Sequence, residues 1–324
     1  MTPLPSTRRA LRVLLALLLL CALGTARAQE PESDRSSRGP LPTAVPPLPR
    51  GERALRFIVL GDYGTGLPGQ RRVAARMAER ARAGLDFIVT TGDNFYPFGV
   101  RSADDPLWER VWRRVYAAPA LAVPWYPSLG NHDHVLGFRA QLAYSRKDPR
   151  WRLPARYHRW ALPLGGGRSV EFFVLDTTLL RRGLDPDQLA WLERVLAASK
   201  ATWKIAIGHH PLYSYSKRPH DASLIRLVEP LFVRNRVDVY FAGHDHVLEL
   251  LKARRGVHYV VSGAGGGPDN AYGVRWTDDC HYAVSGGGFV LARLSASMLV
   301  LEFVRMDGRT EYAHVIPKGR AGPF

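Results

Sequence analysis

Asp86-Phe87-Ile88-Val89-Thr90-Thr91-Gly92-Asp93-Asn94-Phe95-Tyr96 is an apolar run that ends in a glycine turn carrying an acid and, three residues on, a tyrosine. The run is short and unbroken, so it reads as a buried strand whose carboxyl end presents Asp93, with Tyr96 following round the turn. Open α/β sheets place their ligands at that end of their strands. One Gly-Asp turn after a strand is ordinary turn chemistry, but here the pattern recurs. Gly61-Asp62-Tyr63-Gly64 closes a preceding apolar run, and Gly130-Asn131-His132-Asp133 closes a following one. Gly208-His209-His210-Pro211 and Gly243-His244-Asp245-His246 close two more. Successive strand ends therefore deliver Asp, Asp with Tyr, Asn, His and paired His, which are oxygen and imidazole metal donors.

Around these motifs the apolar pattern alternates strand and helix. Strands are predicted at 55–60, 87–91 and 125–129, with helices over 70–83 and 106–118 between them. A helix over 138–145 follows, then strands at 157–162 and 169–175 across the Gly165-Gly166-Gly167 turn. A helix over 186–199 capped by Asp185, a strand at 203–207, a helix over 222–235 and a strand at 237–241 complete a second wound half. The end changes character: 247–251, 257–261, 289–294 and 299–305 read as short strands without helices between them, expected to run antiparallel beside the winding. The fold class is α/β, with one catalytic domain over 53–317 and a tail over 318–324.

Residues 1–28 stand apart. Arg8, Arg9 and Arg12 precede the apolar run 13–23, and Ala26-Arg27-Ala28 offers small residues for cleavage, the pattern of an export signal. The uncharged stretch is shorter than the roughly 20 residues of a spanning helix, so no stable membrane anchor is expected and the mature chain is placed in the periplasm or secreted. The pair Arg8-Arg9 leaves both the general and the twin-arginine export routes open, while Leu20 before Cys21 argues against lipidation. Residues 29–52, with Pro40, Pro42, Pro46, Pro47 and Pro49, read as an extended linker. After cleavage Cys280 is the sole cysteine, so no intrachain disulfide staples the domain. Removing Arg8, Arg9, Arg12 and Arg27 lowers the net charge from +16 to +12. So basic a surface attracts phosphates and polyanions, yet no basic helix or basic-aromatic motif points to specific nucleic-acid binding. A monomer is expected.

Taken as two sites sharing Asp93, the candidate ligands divide by charge. Asp62, Tyr96 and His246 with Asp93 supply anionic oxygens that favour iron(III). Asn131, His209 and His244 with the same Asp93 are mostly neutral donors suited to zinc, iron(II) or manganese. The His244-x-His246 spacing puts both imidazoles on one side of an extended segment. Neighbouring residues point apart, so one of His209 and His210 is expected to bind, and the sequence leaves open which. His132, next to Asn131, is expected within reach of substrate, whereas His134 and His158 read as structural. The run 262–267 lacks the Lys-Ser/Thr ending of a P-loop and reads as a tight loop beside the site.

These motifs resemble the small, mammalian-type purple (tartrate-resistant) acid phosphatases, a branch of the metallophosphoesterases. Agreement extends to Ala140-Gln141-Leu142-Ala143-Tyr144-Ser145, Leu175-Asp176-Thr177-Thr178 and Tyr259-Val260-Val261-Ser262-Gly263-Ala264-Gly265. The resemblance implies a four-layer α/β/β/α sandwich. It implies Asp62, Tyr96 and His246 on iron(III), Asp93 bridging, and Asn131, His209 and His244 on the divalent ion. His132 matches the family histidine that acts on the substrate or leaving group. The family's second active-site histidine falls on Arg218 here, and the nearest histidine, His220, is the candidate to replace it. The implied reaction is hydrolysis of a phosphomonoester by attack of an iron(III)-activated hydroxide, with an acidic optimum and a proton from His132 or His220. Phosphodiesterase or nucleotidase action on the same centre, and a redox role of the iron, are the alternatives. A non-catalytic polyanion binder would not need the intact ligand set.

Overall fold

A computed structural model describes residues 44–267 and 273–319, so the export segment, Cys21 and residues 29–43 of the linker lie outside the described residues. The first strand, β1 (Leu55–Leu60), shows how the layers arise. Phe57 and Val59 face a core between two sheets, while Ile58 and Leu60 face helices on the outside. Side chains alternate along a strand, so a strand apolar on both faces needs a layer on each side.

After β1 come α1 (Pro68–Ala81), β2 (Phe87–Thr90), β3 (Trp125–Pro127) and α2 (Arg139–Tyr144). Next are β4 (His158–Gly165), β5 (Arg168–Val174), α3 (Thr177–Leu180), α4 (Pro186–Ala198) and β6 (Trp203–Ile207). Helices α5 (Ala222–Leu227) and α6 (Glu229–Arg234) precede β7 (Val239–Ala242), β8 (Val247–Leu251) and β9 (His258–Ser262). The chain closes with β10 (Cys280–Ser285), β11 (Gly288–Leu294), β12 (Met298–Arg305) and β13 (Thr310–Pro317). One sheet has the order β13-β12-β11-β1-β2-β3 and the other β10-β8-β9-β7-β6-β5-β4. In each, the strands that carry the motifs run parallel: β1 with β2 and β2 with the edge strand β3, and β6 with β7.

The sheets meet through Phe57, Phe87, Phe172, Ile205, Phe241 and Val290. Each such side chain, fully buried, contributes about 1.5–3 kcal/mol. Val73 and Met77 of α1 cover the outer face of the first sheet, and Leu192 and Leu196 of α4 cover that of the second. The result is the expected α/β/β/α layering.

Several elements differ from the sequence reading. Within 106–118 a π-helical turn, Trp108–Arg113, takes the place of a regular helix. The wider turn accompanies a dense aromatic cluster in which Trp108 stacks on Tyr144 at 3.5 Å and Trp112 meets Trp151 at 5.2 Å. The predicted helix over 222–235 is two, because Pro230 has no N–H to continue the ladder across Val228. Strands β10 and β13 were not expected. Both lie at sheet edges, where polar residues such as His281, Thr310 and His314 dilute the apolar alternation. The end of the linker packs on the domain: the Pro46 carbonyl accepts from Arg293 at 2.8 Å, and the Glu52 carboxylate accepts from the Ser297 N–H and hydroxyl.

Candidate metal centre

The turns after β1, β2, β3, β6 and β7 converge at one end of the two sheets. Their glycines allow the approach: a Cβ on Gly130 would lie 2.1 Å from Asp93 Oδ1, and one on Gly243 would lie 2.5 Å from Asp62 Oδ2. Asp62, Asp93 and His244 all hold positive φ, at 56°, 51° and 67°. Backbone in that region is unfavourable for side-chain-bearing residues and is kept where the surroundings over-determine it.

Two donor sets result. In the first, the Tyr96 hydroxyl lies 3.2 Å from Asp62 Oδ1, 3.1 Å from Asp93 Oδ2 and 3.1 Å from His246 Nε2. In the second, His209 Nε2 lies 3.4 Å from Asp93 Oδ2, 3.0 Å from Asn131 Oδ1 and 3.1 Å from His244 Nδ1. Asp93 Oδ2 belongs to both. Atoms that bind one ion at about 2.1 Å in tetrahedral or octahedral geometry stand about 3.0–3.4 Å from one another, so both sets have the spacing of a coordination shell. Asp62, Asp93 and His209 lie within 4.8 Å as one potential ion-binding group, and His209, His210 and His244 as another.

The electrostatics suit cations. Asp62 is fully buried, and that burial raises its pKa even against the pull of His246 and His209. Burial opposes a charged His209, yet the Asp93 carboxylate, with Asp62 behind it, holds its pKa up to about 9. Burial, then the two carboxylates, push the Tyr96 phenol well above its ordinary value. Two carboxylates, a phenol and imidazoles packed together in a dry site are what a bound cation would reconcile. The residues therefore fit a dinuclear centre. His209 Nδ1 lies 2.8 Å from the Thr91 carbonyl, which makes Nδ1–H the donor there and leaves Nε2 as the atom that would bind an ion, on loss of its proton. His210 instead turns its Nδ1 to the Thr177 hydroxyl at 2.9 Å, although its ring is 4.3 Å from that of His244.

The other candidates fall in different places. His132 stands at the rim, 36% exposed, with Nε2 3.9 Å from Asp93 Oδ2 and its ring against Tyr96 at 4.5 Å. His220 is not brought into contact with the ligand set: the Ser214 N–H donates to its Nδ1 at 3.3 Å, and its ring meets Tyr213 and Tyr215. Arg218 does reach the set, donating to the His244 carbonyl at 2.6 Å and to Asp245 at 3.0 Å. His134 pairs with Asp176 at 2.9 Å, and His158 is buried at the start of β4. The glycine run leans on the site, since a Cβ on Gly267 would meet the His246 ring at 2.9 Å.

Two residues that the motif reading passed over hold the turns together. Buried Asp133 accepts from the N–H groups of Gly130, Asn94 and Phe95 and from the Gln141 amide, at 2.7–3.2 Å. Asn94 donates to the Ser128 carbonyl and accepts from Thr90 and Tyr63. Both stand inside the quoted motifs, so their position was visible and their partners were not.

The calcineurin-like phosphoesterase family model matches residues 55–248. The chain belongs to that family. Among its relatives, tartrate-resistant acid phosphatase type 5 of Homo sapiens is 33% identical, covering 83% of this chain and 93% of its own. Purple acid phosphatase 4 of Arabidopsis thaliana is 30% identical, covering 90% of each. This calcineurin-like phosphoesterase is thus an enzyme of the purple acid phosphatase type, a group with a dinuclear metal centre. Two solved structures share its fold: GAP50, titled the anchor in the inner membrane complex of Plasmodium, and a purple acid phosphatase of yellow lupin seeds. The TM-scores are 0.76 and 0.64, at 24% and 19% identity. They cover 83% and 84% of this chain, and 90% and 55% of their own.

Proposed function

We propose that this phosphoesterase is an exported acid phosphatase that hydrolyses phosphomonoesters at an iron(III)–divalent centre. The observation that carries the reading is the shared carboxylate, Asp93 Oδ2, which lies 3.1 Å from the Tyr96 oxygen of one donor set and 3.4 Å from the His209 nitrogen of the other. Asp62, Tyr96 and His246 would complete the harder, anionic half, and Asn131, His209 and His244 the more neutral half. When bound, such a pair of ions supplies Lewis-acid polarisation of the phosphate and a nucleophilic water in acid.

The chain's own residues do the rest. Asp93 sets the spacing of the two halves, and Thr91 fixes the tautomer of His209. His132, at the open rim, would give its proton to the departing alcohol oxygen, so that breaking the P–O bond releases a neutral alcohol. His220 lies among Tyr213 and Tyr215, which favours His132 for that role.

The experiment is a kinetic comparison of alkyl phosphomonoesters with phosphodiesters, together with metal analysis of the purified protein. Monoester turnover with one iron and one divalent ion per chain supports the reading. Preference for diesters would favour the phosphodiesterase alternative, and a single ion per chain would defeat the dinuclear one. Export is tested separately by the mass of the mature protein, which should begin near Gln29.

A further inference from the structure

The described residues expose six large apolar side chains, and three of them, Phe98 at 51%, Val135 at 57% and Leu136 at 52%, sit on two loops beside His132. Single exposed apolar residues are ordinary, whereas a cluster at the mouth of a site marks something that binds there. The loops adjoin. The Leu136 N–H donates to the Phe98 carbonyl at 3.0 Å, and the Val135 N–H donates to the His132 carbonyl at 3.3 Å. His132 Nδ1 lies 2.6 Å from the carbonyl of Pro97, the residue before Phe98. The His132 ring and the apolar side chains therefore hang from neighbouring peptide units.

This ridge is also held in place. Asp133 ties the 132–136 loop to the N–H groups of Asn94 and Phe95, and His134 ties its other side to Asp176 at 2.9 Å. A surface arranged in advance loses little conformational entropy when a ligand meets it.

We infer that Phe98, Val135 and Leu136 form an apolar lip that binds the alcohol portion of the substrate and selects phosphomonoesters of hydrophobic alcohols. The inference rests on the reading of His132 as the proton donor to the leaving group. In that reaction water adds to phosphorus, the P–O bond to the alcohol breaks, and the alcohol oxygen takes the proton from His132. The leaving oxygen is then at His132, and a chain attached to it passes over the lip. Each methylene that leaves water there is worth roughly a factor of four in kcat/KM when fully covered.

The test uses the metal-loaded full-length enzyme and the series ethyl, butyl and hexyl phosphate, whose alcohols have closely similar acidity but different apolar length. In the wild type kcat/KM should rise with chain length, by roughly tenfold or more from ethyl to hexyl. In the double variant Phe98→Ser/Leu136→Ser that rise should shrink to within about threefold, with the thermal unfolding midpoint unchanged. A flat series in the wild type overturns the lip, as it would if these residues instead met a protein or a membrane. An undiminished rise in the double variant overturns it too. If none of the three esters is hydrolysed, the phosphatase reading fails and the lip falls with it, an outcome distinct from a flat but active series.

Discussion

The main-chain N–H of His132 donates to Asp93 Oδ1 at 2.9 Å. One oxygen of the shared carboxylate is thereby held by the loop that carries the candidate acid, and Oδ2 is left to face both donor sets. The proposed proton donor and the proposed bridging ligand are consequently one mechanical unit. Asp93→Ala should remove both ions together and lower turnover by more than about 100-fold, since even groups behind the ligands are worth 10–100-fold in metal affinity. Metal content and phosphatase activity measured on the same preparation check this. Retention of either ion at full occupancy would contradict a shared ligand.

His132→Ala separates proton transfer from phosphate binding. Turnover of alkyl phosphates, whose alkoxides need a proton, should fall by about 10²–10⁴. Activated aryl phosphates, with stable leaving groups, should lose far less. Equal losses on the two classes would mean that His132 holds the phosphate rather than protonating the alcohol. The same pair of assays on His220→Ala should show little difference between the classes, because His220 packs on Tyr213 and Tyr215.

Tyr96→Phe tests the iron. Burial and the neighbouring carboxylates of Asp62 and Asp93 keep the free phenol protonated at any working pH, so only a strongly charged ion at that oxygen would make it phenolate. An iron(III) phenolate absorbs visible light. The iron-loaded wild type should be purple, and the variant should lose the band while keeping its circular dichroism, because phenylalanine preserves the packing against His132 at 4.5 Å. A wild type that binds iron without a visible band would take Tyr96 out of the ligand set.

Asp133→Ala should unfold the turns rather than alter the chemistry directly. Its carboxylate accepts from three main-chain N–H groups and the Gln141 amide, all in buried surroundings. Each donor left without a partner costs about 1–3 kcal/mol, so a loss of at least roughly 3 kcal/mol is expected in denaturant unfolding. Loss of stability below 1 kcal/mol would show that other groups hold these turns.

Glu249 gives the fold a pH dependence of its own. Burial raises its pKa from 4.5 to about 7, despite the Tyr215 N–H that donates to it at 2.8 Å. Between those two values the folded protein binds more protons at this site than the unfolded chain, so this contribution to stability falls as pH rises from 4.5 to 7 and is level above. Glu249→Gln should therefore gain in unfolding midpoint relative to the wild type on going from pH 5 to pH 8. A difference between the two that does not vary with pH would refute the shift.

Much of the site was legible because each motif is local. An apolar run followed by Gly-Asp or Gly-His dictates a strand and a turn, and the residue types Asp62, Asp93, Tyr96, Asn131, His209, His244 and His246 announce metal chemistry without any tertiary knowledge. The alternation of strands and helices likewise set the α/β class, and the apolar runs set the parallel centres of both sheets. Tertiary structure decided what depends on partners distant in sequence. That His209 rather than His210 faces Asp93 follows from the Thr91 and Thr177 oxygens that hold the two rings. Asp133 became a fastening for two turns only once Asn94 and Gln141 were beside it. The π-turn at Trp108 and the edge strands β10 and β13 have the same origin, since aromatic stacking and the neighbouring strand, not local propensity, decide them. A sequence specifies which groups are available and on which face each lies, whereas which of them meet is set by packing between elements.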